Sequence, residues 1–203
     1  MNSKIKVVVC GSTFGQLYLK ALQDRSDLFQ IVGLFGTGSE RSKKCAKEYG
    51  ITLYTDIEKI PKETDLACIA VKTAAFGGKG TDIALALLDK GIHVIQEHPS
   101  HPKDMEQCYR IARKKNLVYH IGNLYPYLED VKQFIKCANY LNDNDELLHI
   151  DVMFSGQLSY PLIKILQLAM PSIQKWEMEK QEKTDGKFQY FVAGWATYQS
   201  VCK

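Results

Sequence analysis

K-V-V-V-C-G-S-T-F-G, Lys6–Gly15, is an apolar run that breaks into a small-residue turn, and Gln16–Leu22 continues from it with helical spacing. A strand that hands over to a helix through glycines leaves backbone N–H groups bare at the helix N-terminus. Those donors and the helix dipole both favour negative charge, so Gly11, Ser12, Thr13, Phe14 and Gly15 form a candidate pyrophosphate cradle. A full dinucleotide fingerprint reads G-x-G-x-x-G; here Thr13 stands where the second glycine would be. On its own the turn reads equally as punctuation after a buried strand, and the segments that follow it decide.

Working outward, apolar strands alternate with helical stretches. Strands are expected at Ile5–Cys10, Gln30–Phe35, Leu53–Tyr54, Leu66–Val71, Ile92–Gln96 and Val118–Ile121. Helices are expected at Phe14–Gln23, Glu40–Tyr49, Thr81–Lys90 and Lys103–Lys115, with a short one at Asp56–Ile60 that Pro61 closes. Near-continuous apolar strands such as L-A-C-I-A-V are the kind buried on both faces of a parallel sheet. This alternation predicts βαβ units and a doubly wound α/β sheet over 1–122, with ligands at the carboxyl ends of its strands. Beyond it, 123–203 reads as a partial α+β domain. Helices are expected at Tyr127–Leu141 and Tyr160–Leu168 and strands at Leu148–Phe154, Lys187–Ala193 and Trp195–Val201, the last two hinged near Gly194. The charged stretch Glu177–Gly186 is expected to be a solvated loop, and the chain to stop in mid-domain.

The 203 residues carry a net charge of +3, with 45% hydrophobic and 24% charged residues, an ordinary globular balance. With no basic block or aromatic-interleaved patch, nucleic acid and membrane surfaces are not expected partners. No signal-peptide core precedes the first strand, and the six cysteines lack C-x-x-C or metal-ligand spacing; a reduced, cytoplasmic protein without a metal centre is expected.

Three turns carry candidate chemistry. After the second strand, F-G-T-G-S-E-R-S places Gly36 where an acid would hold a ribose 2′-hydroxyl. Ser39, Arg41 and Ser42 there either bind a 2′-phosphate, for which a guanidinium is well shaped, or serve as a helix cap and a solvated helix residue. After the fourth strand, the glycine-rich loop that includes Thr73 either lines a cofactor or substrate pocket or is a structural turn. Glu97-His98-Pro99 ends the fifth strand; an imidazole there titrates near neutrality, and proline restricts the backbone before it. His101 is expected on the surface, and Asn123, Tyr125 and Tyr127 follow the sixth strand.

With these segments together the chain resembles the superfamily of glucose–fructose oxidoreductase, inositol dehydrogenase and rhizopine-catabolism proteins, whose fold is a Rossmann-like domain followed by a second α+β domain. The fifth-strand motif of that superfamily is normally Glu-Lys-Pro, with the lysine serving catalysis; here it is Glu97-His98-Pro99. C-G-S-T-F-G-Q-L-Y-L, L-F-G-T-G-S-E-R-S, F-G-G-K-G and G-I-H-V-I-Q-E-H-P are similar to one branch, the thiazolinyl imine reductases of yersiniabactin- and pyochelin-type siderophore assembly. That resemblance implies NADPH as cofactor and, as partner, a carrier-protein-tethered thiazoline intermediate of a peptide synthetase, whose C=N is reduced to thiazolidine. It implies His98 or Tyr125 as the proton donor, Thr73 and Glu97 beside the cofactor, and a homodimer where the second domain is complete. Two other readings stay open: a sugar or polyol dehydrogenase of the wider superfamily, and a truncated cofactor-binding remnant or sensor.

Overall fold

The computed structural model describes residues 3–73, 78–144, 152–154 and 158–170, and the backbone of 177–178, 189–190 and 193–194. The chain divides into two compact units, with the boundary after Gly122.

The first unit is built on six parallel strands in the order β3-β2-β1-β4-β5-β6: β1 (Ile5–Cys10), β2 (Phe29–Phe35), β3 (Leu53–Tyr54), β4 (Leu66–Ile69), β5 (His93–Glu97) and β6 (Tyr119–Gly122). It is an α/β, doubly wound sheet of the Rossmann type. Val7, Val8, Val9 and Cys10 are fully buried, as the uninterrupted apolar run requires of a strand covered on both faces. The helices are α1 (Gly15–Asp24), α2 (Glu40–Glu48), α3 (Gly80–Asp89) and α4 (Pro102–Lys114). On α1, Gly15, Leu19 and Leu22 turn inward, the spacing of one helical face. Val7, Val9, Leu19, Leu22, Leu34, Cys45, Ala46 and Cys68 form one core cluster. Thr81 Oγ1 donates to Asp104 Oδ2 at 3.1 Å and ties α3 to α4. His101 caps α4, its Nδ1 accepting from the Lys103 N–H at 3.2 Å, and is exposed as expected. The segment Asp56–Ile60 forms a 3-10 turn over Ile57–Lys59, capped by Asp56, in place of an α-helix.

The strand order reverses between β1 and β4, the two neighbours that lie on opposite sides of the first crossover. Ala70 N–H donates to the Cys10 carbonyl at 2.8 Å and Gly11 N–H to the Phe35 carbonyl at 2.9 Å, so the ends of β1, β2 and β4 are stitched together at this reversal. Ligands of open α/β sheets bind in the crevice outside such a switch point.

In the second unit a 3-10 turn, Tyr125–Tyr127, packs with α5 (Glu129–Asn144) and α6 (Ser159–Ala169), and Asn139 Nδ2 donates to the Leu168 carbonyl at 3.2 Å. Two antiparallel pairs follow: β7 (Met153–Phe154) with β9 (Gln189–Tyr190), and β8 (Glu177–Met178) with β10 (Ala193–Gly194). This corrects two expectations. Glu177–Gly186 is not loop throughout, because Glu177 and Met178 pair as a strand. Lys187–Ala193 is not one strand, because Gln189–Tyr190 and Ala193 pair with different partners. Most of Leu148–Phe154 and all of Trp195–Val201 lie outside the described residues. Among the described residues no helix is long and apolar enough to cross a membrane.

Candidate functional site

The glycine turn after β1 fits a pyrophosphate. Gly11 has φ +103°, a conformation that side chains rarely adopt, and a Cβ on it would stand 2.7 Å from the Ala70 carbonyl oxygen. A Cβ on Gly15 would lie 3.1 Å from Val9 Cγ1, so the first turn of α1 sits close against β1. The N-cap Phe14 offers no side-chain oxygen, and no hydrogen bond among the described residues uses the N–H groups of Ser12, Thr13, Phe14 or Gly15. A helix leaves its first N–H groups without internal partners, and here no described residue supplies one. Bare donors, the positive end of α1 and backbone without side chains at Gly11 and Gly15 suit a ligand carrying two phosphates.

At the end of β2, Ser39 is the N-cap of α2: its Oγ accepts from Ser42 N–H at 3.4 Å. Ser42 is buried, and its own hydroxyl donates to the Ser39 carbonyl at 2.8 Å. Both serines thus build the start of α2, with Ser39 still exposed. Glu40 pairs with Lys43 at 2.8 Å, whereas Arg41 is exposed and enters no ion pair among the described residues. Gly36 donates to the Tyr54 carbonyl at 2.9 Å and brings no carboxylate to this rim.

The most developed chemistry lies at the end of β5. Tyr18, on α1, donates its hydroxyl to Glu97 Oε2 at 2.5 Å. His98 Nδ1 lies 2.8 Å from Glu97 Oε1 and 3.0 Å from the Gly122 carbonyl, with the hydrogen-bond direction toward the carbonyl. With Glu97 ionised, both neighbours of Nδ1 present only lone pairs, so this nitrogen carries the proton and Nε2 is the one that gains and loses it. Burial disfavours the imidazolium, but the close approach of Glu97, the Gly122 carbonyl and the Glu97 charge outweigh it and raise the His98 pKa. Burial, then Glu97, pushes the Tyr18 phenol far above its ordinary range, so its hydroxyl keeps its proton and is the donor of the pair. Gly122 makes the space: a Cβ there would come within 2.7 Å of Tyr18 Oη and 3.3 Å of Glu97 Oε2.

Thr73 is buried and its Oγ1 donates to the Pro99 carbonyl at 2.9 Å, which fastens the loop after β4 to the Glu97-His98-Pro99 turn. The structure therefore brings Gly11–Gly15, Thr73, Glu97 and His98 to one edge of the sheet. Tyr125 belongs to the second unit, half-buried in its 3-10 turn. Tyr18 and Gly122 escape a sequence reading; their one signal is position, Tyr18 three residues past Gly15 and Gly122 closing β6.

The pattern of the oxidoreductase family with an NAD-binding Rossmann fold (Gfo/Idh/MocA) matches residues 5–123, and the chain belongs to that family. No curated protein sequence matches it. Among solved structures it is similar to GenD2 of gentamicin A biosynthesis in complex with NAD (TM-score 0.70, 13% identity, covering 94% of this chain and 61% of that one). It is also similar to the dehydrogenase MviM of Clostridium difficile (TM-score 0.62, 20% identity, 92% and 64%). A UDP-N-acetylglucosamine 3-dehydrogenase of Acidithiobacillus ferrooxidans gives TM-score 0.55 and 20% identity over 68% of this chain and 44% of that one. The chain thus spans less than two thirds of the length of these proteins.

Proposed function

We propose that the chain is an NADPH-dependent reductase of the thiazolinyl imine type, which reduces the C=N of a carrier-protein-tethered thiazoline to thiazolidine. The observation that carries this reading is His98, paired with Glu97 at the ligand edge of the sheet, in the place where the superfamily motif has lysine. When bound, the nicotinamide cofactor supplies a hydride to the imine carbon. The chain's own residues have the remaining tasks. Ser12, Thr13, Phe14 and Gly15 hold the pyrophosphate with backbone N–H groups. Arg41, with Ser39 beside it, receives the 2′-phosphate; Gly36 in place of an acid removes the repulsion that would exclude it. Thr73, bonded to the Pro99 carbonyl, and Glu97, bonded to Tyr18, would contribute to holding the cofactor at this edge. His98 delivers a proton from Nε2 to the imine nitrogen, so that one hydride and one proton convert C=N to CH–NH.

A second reading, a sugar-type dehydrogenase, draws on neighbours described as acting on UDP-N-acetylglucosamine and myo-inositol. The two separate by assay. With NADPH and a thiazoline thioester, cofactor oxidation and a thiazolidine product are expected; reduction of NAD(P)+ by polyols or nucleotide sugars, with no turnover of the thiazoline, would favour the dehydrogenase. Within the first reading, His98→Ala should lower turnover by about 10²–10⁴-fold with NADPH affinity nearly intact. An unimpaired His98→Ala beside an equally impaired Tyr125→Phe would move the donor to Tyr125.

A further inference from the structure

We propose that Tyr18 is a positioning residue: its hydroxyl holds Glu97 as an oriented carboxylate and so keeps the shared proton of the Glu97–His98 pair on the imidazole. Glu97 and His98 are two bases that meet across 2.8 Å, and a proton between them can sit on either. On the carboxyl group it would leave a neutral imidazole; on the imidazole it gives an imidazolium able to donate from Nε2. Three features favour the second arrangement. Tyr18 Oη donates to Glu97 Oε2 at 2.5 Å, a short bond of the kind made to a charged oxygen. Glu97 Oε1 is buried with no aligned hydrogen-bond donor among the described residues, so the charge on His98 is what balances it. The Gly122 carbonyl accepts from Nδ1 and stabilises the protonated ring from the other side.

Among the described groups of the first unit, Tyr18 comes to the pair from α1 and the Gly122 carbonyl from β6, while the Cys68 thiol of β4, which burial pushes up to about 12, lies near Tyr18. Without the hydroxyl, two effects oppose each other. The carboxylate would concentrate more charge on Oε1, which favours the imidazolium. It would also lose its only aligned hydrogen bond among the described residues while still mostly buried, and would turn away from Nδ1. The second effect is the larger, because an unsolvated carboxylate oxygen without a donor is costlier than a modest redistribution of charge.

This inference adds a residue to the site of the proposed reductase and rests on that reading only for the destination of the proton. The test is a titration of the His98 ring nitrogens by NMR, in the full chain without cofactor or substrate. In Tyr18→Phe the midpoint should fall by about one pH unit, the scale of losing an opposite charge at contact distance. Gly122→Ala, whose added methyl displaces the hydroxyl without removing it, should shift the midpoint in the same direction. In the unaltered chain the Tyr18 hydroxyl proton should move with the His98 midpoint. A midpoint unchanged or raised in the folded variants, or a Tyr18 proton indifferent to His98, would overturn the role of Tyr18. A failed thiazoline assay beside a lowered midpoint would instead strike the reductase reading and leave Tyr18 in place.

Discussion

At the residue scale the site turns on one carboxylate. Glu97 accepts from Tyr18 on one oxygen and faces the His98 imidazole with the other, which fixes the tautomer and makes the ring more basic. The folded-state pKa of His98 is therefore above its unfolded value. Its protonated form contributes stability that is fully present below about 6.5, its ordinary value, and is lost as pH rises through the folded pKa. Urea unfolding of the wild type and His98→Gln at about pH 5.5 and about pH 8.5 should show the wild-type advantage larger at the lower pH. An advantage that is equal at both, or larger at the higher pH, would contradict the pairing. His98 was legible as a chemistry-bearing residue because a histidine-proline step at the end of a strand stands out in a sequence. Tyr18, the partner of Glu97, was not: the two hydrogen-bonded side chains are 79 positions apart, and nothing local marks a tyrosine on a helix as facing a carboxylate on a distant strand.

At the element scale the β1–α1 turn is where backbone conformation and ligand chemistry coincide. Gly11 combines a positive φ with a neighbouring carbonyl 2.7 Å from where a Cβ would sit, whereas Gly91, with φ +84°, has nothing within 4 Å of its own. Gly91→Ala should cost only backbone strain, about 1–2 kcal/mol. Gly11→Ala should cost more, because the backbone at Ala70, just past β4, must also give way by an overpacking term of about 1–3 kcal/mol. Denaturant unfolding of the two variants makes the comparison, and equal losses would mean that the turn has room to relax. The six strands of the first unit were readable because a strand buried on both faces is apolar along its length, as Val7–Cys10 shows. Of the two-residue strands of the second unit, Met153–Phe154 and Gln189–Tyr190 fall within expected strands, whereas Glu177–Met178 does not. Glu177 sits in a charged stretch with no alternation, and its strand exists only through antiparallel pairing with Ala193–Gly194. Where pairing and not pattern defines a strand, local sequence carries little of it.

At the scale of the whole molecule, family membership over residues 5–123 and a parallel sheet that reverses between β1 and β4 define a dinucleotide-binding architecture. In the proposed reading the choice of dinucleotide is made at the rim, where Gly36 brings no carboxylate and Arg41 is an exposed cation without an ion-pair partner among the described residues. A charge-assisted contact to a 2′-phosphate is worth about 1.5–3 kcal/mol, or about 10–150-fold in affinity. The direct measurement is a parallel titration of NADPH and NADH into the chain, followed by quenching of protein fluorescence, with Arg41→Ala beside the wild type. NADPH should bind at least about tenfold more tightly than NADH, and Arg41→Ala should erase most of that preference while leaving NADH affinity unchanged. Equal affinities in the wild type, or a preference for NADPH that survives loss of Arg41, would contradict a 2′-phosphate site at this rim, and no binding of either would contradict the cradle at Gly11–Gly15.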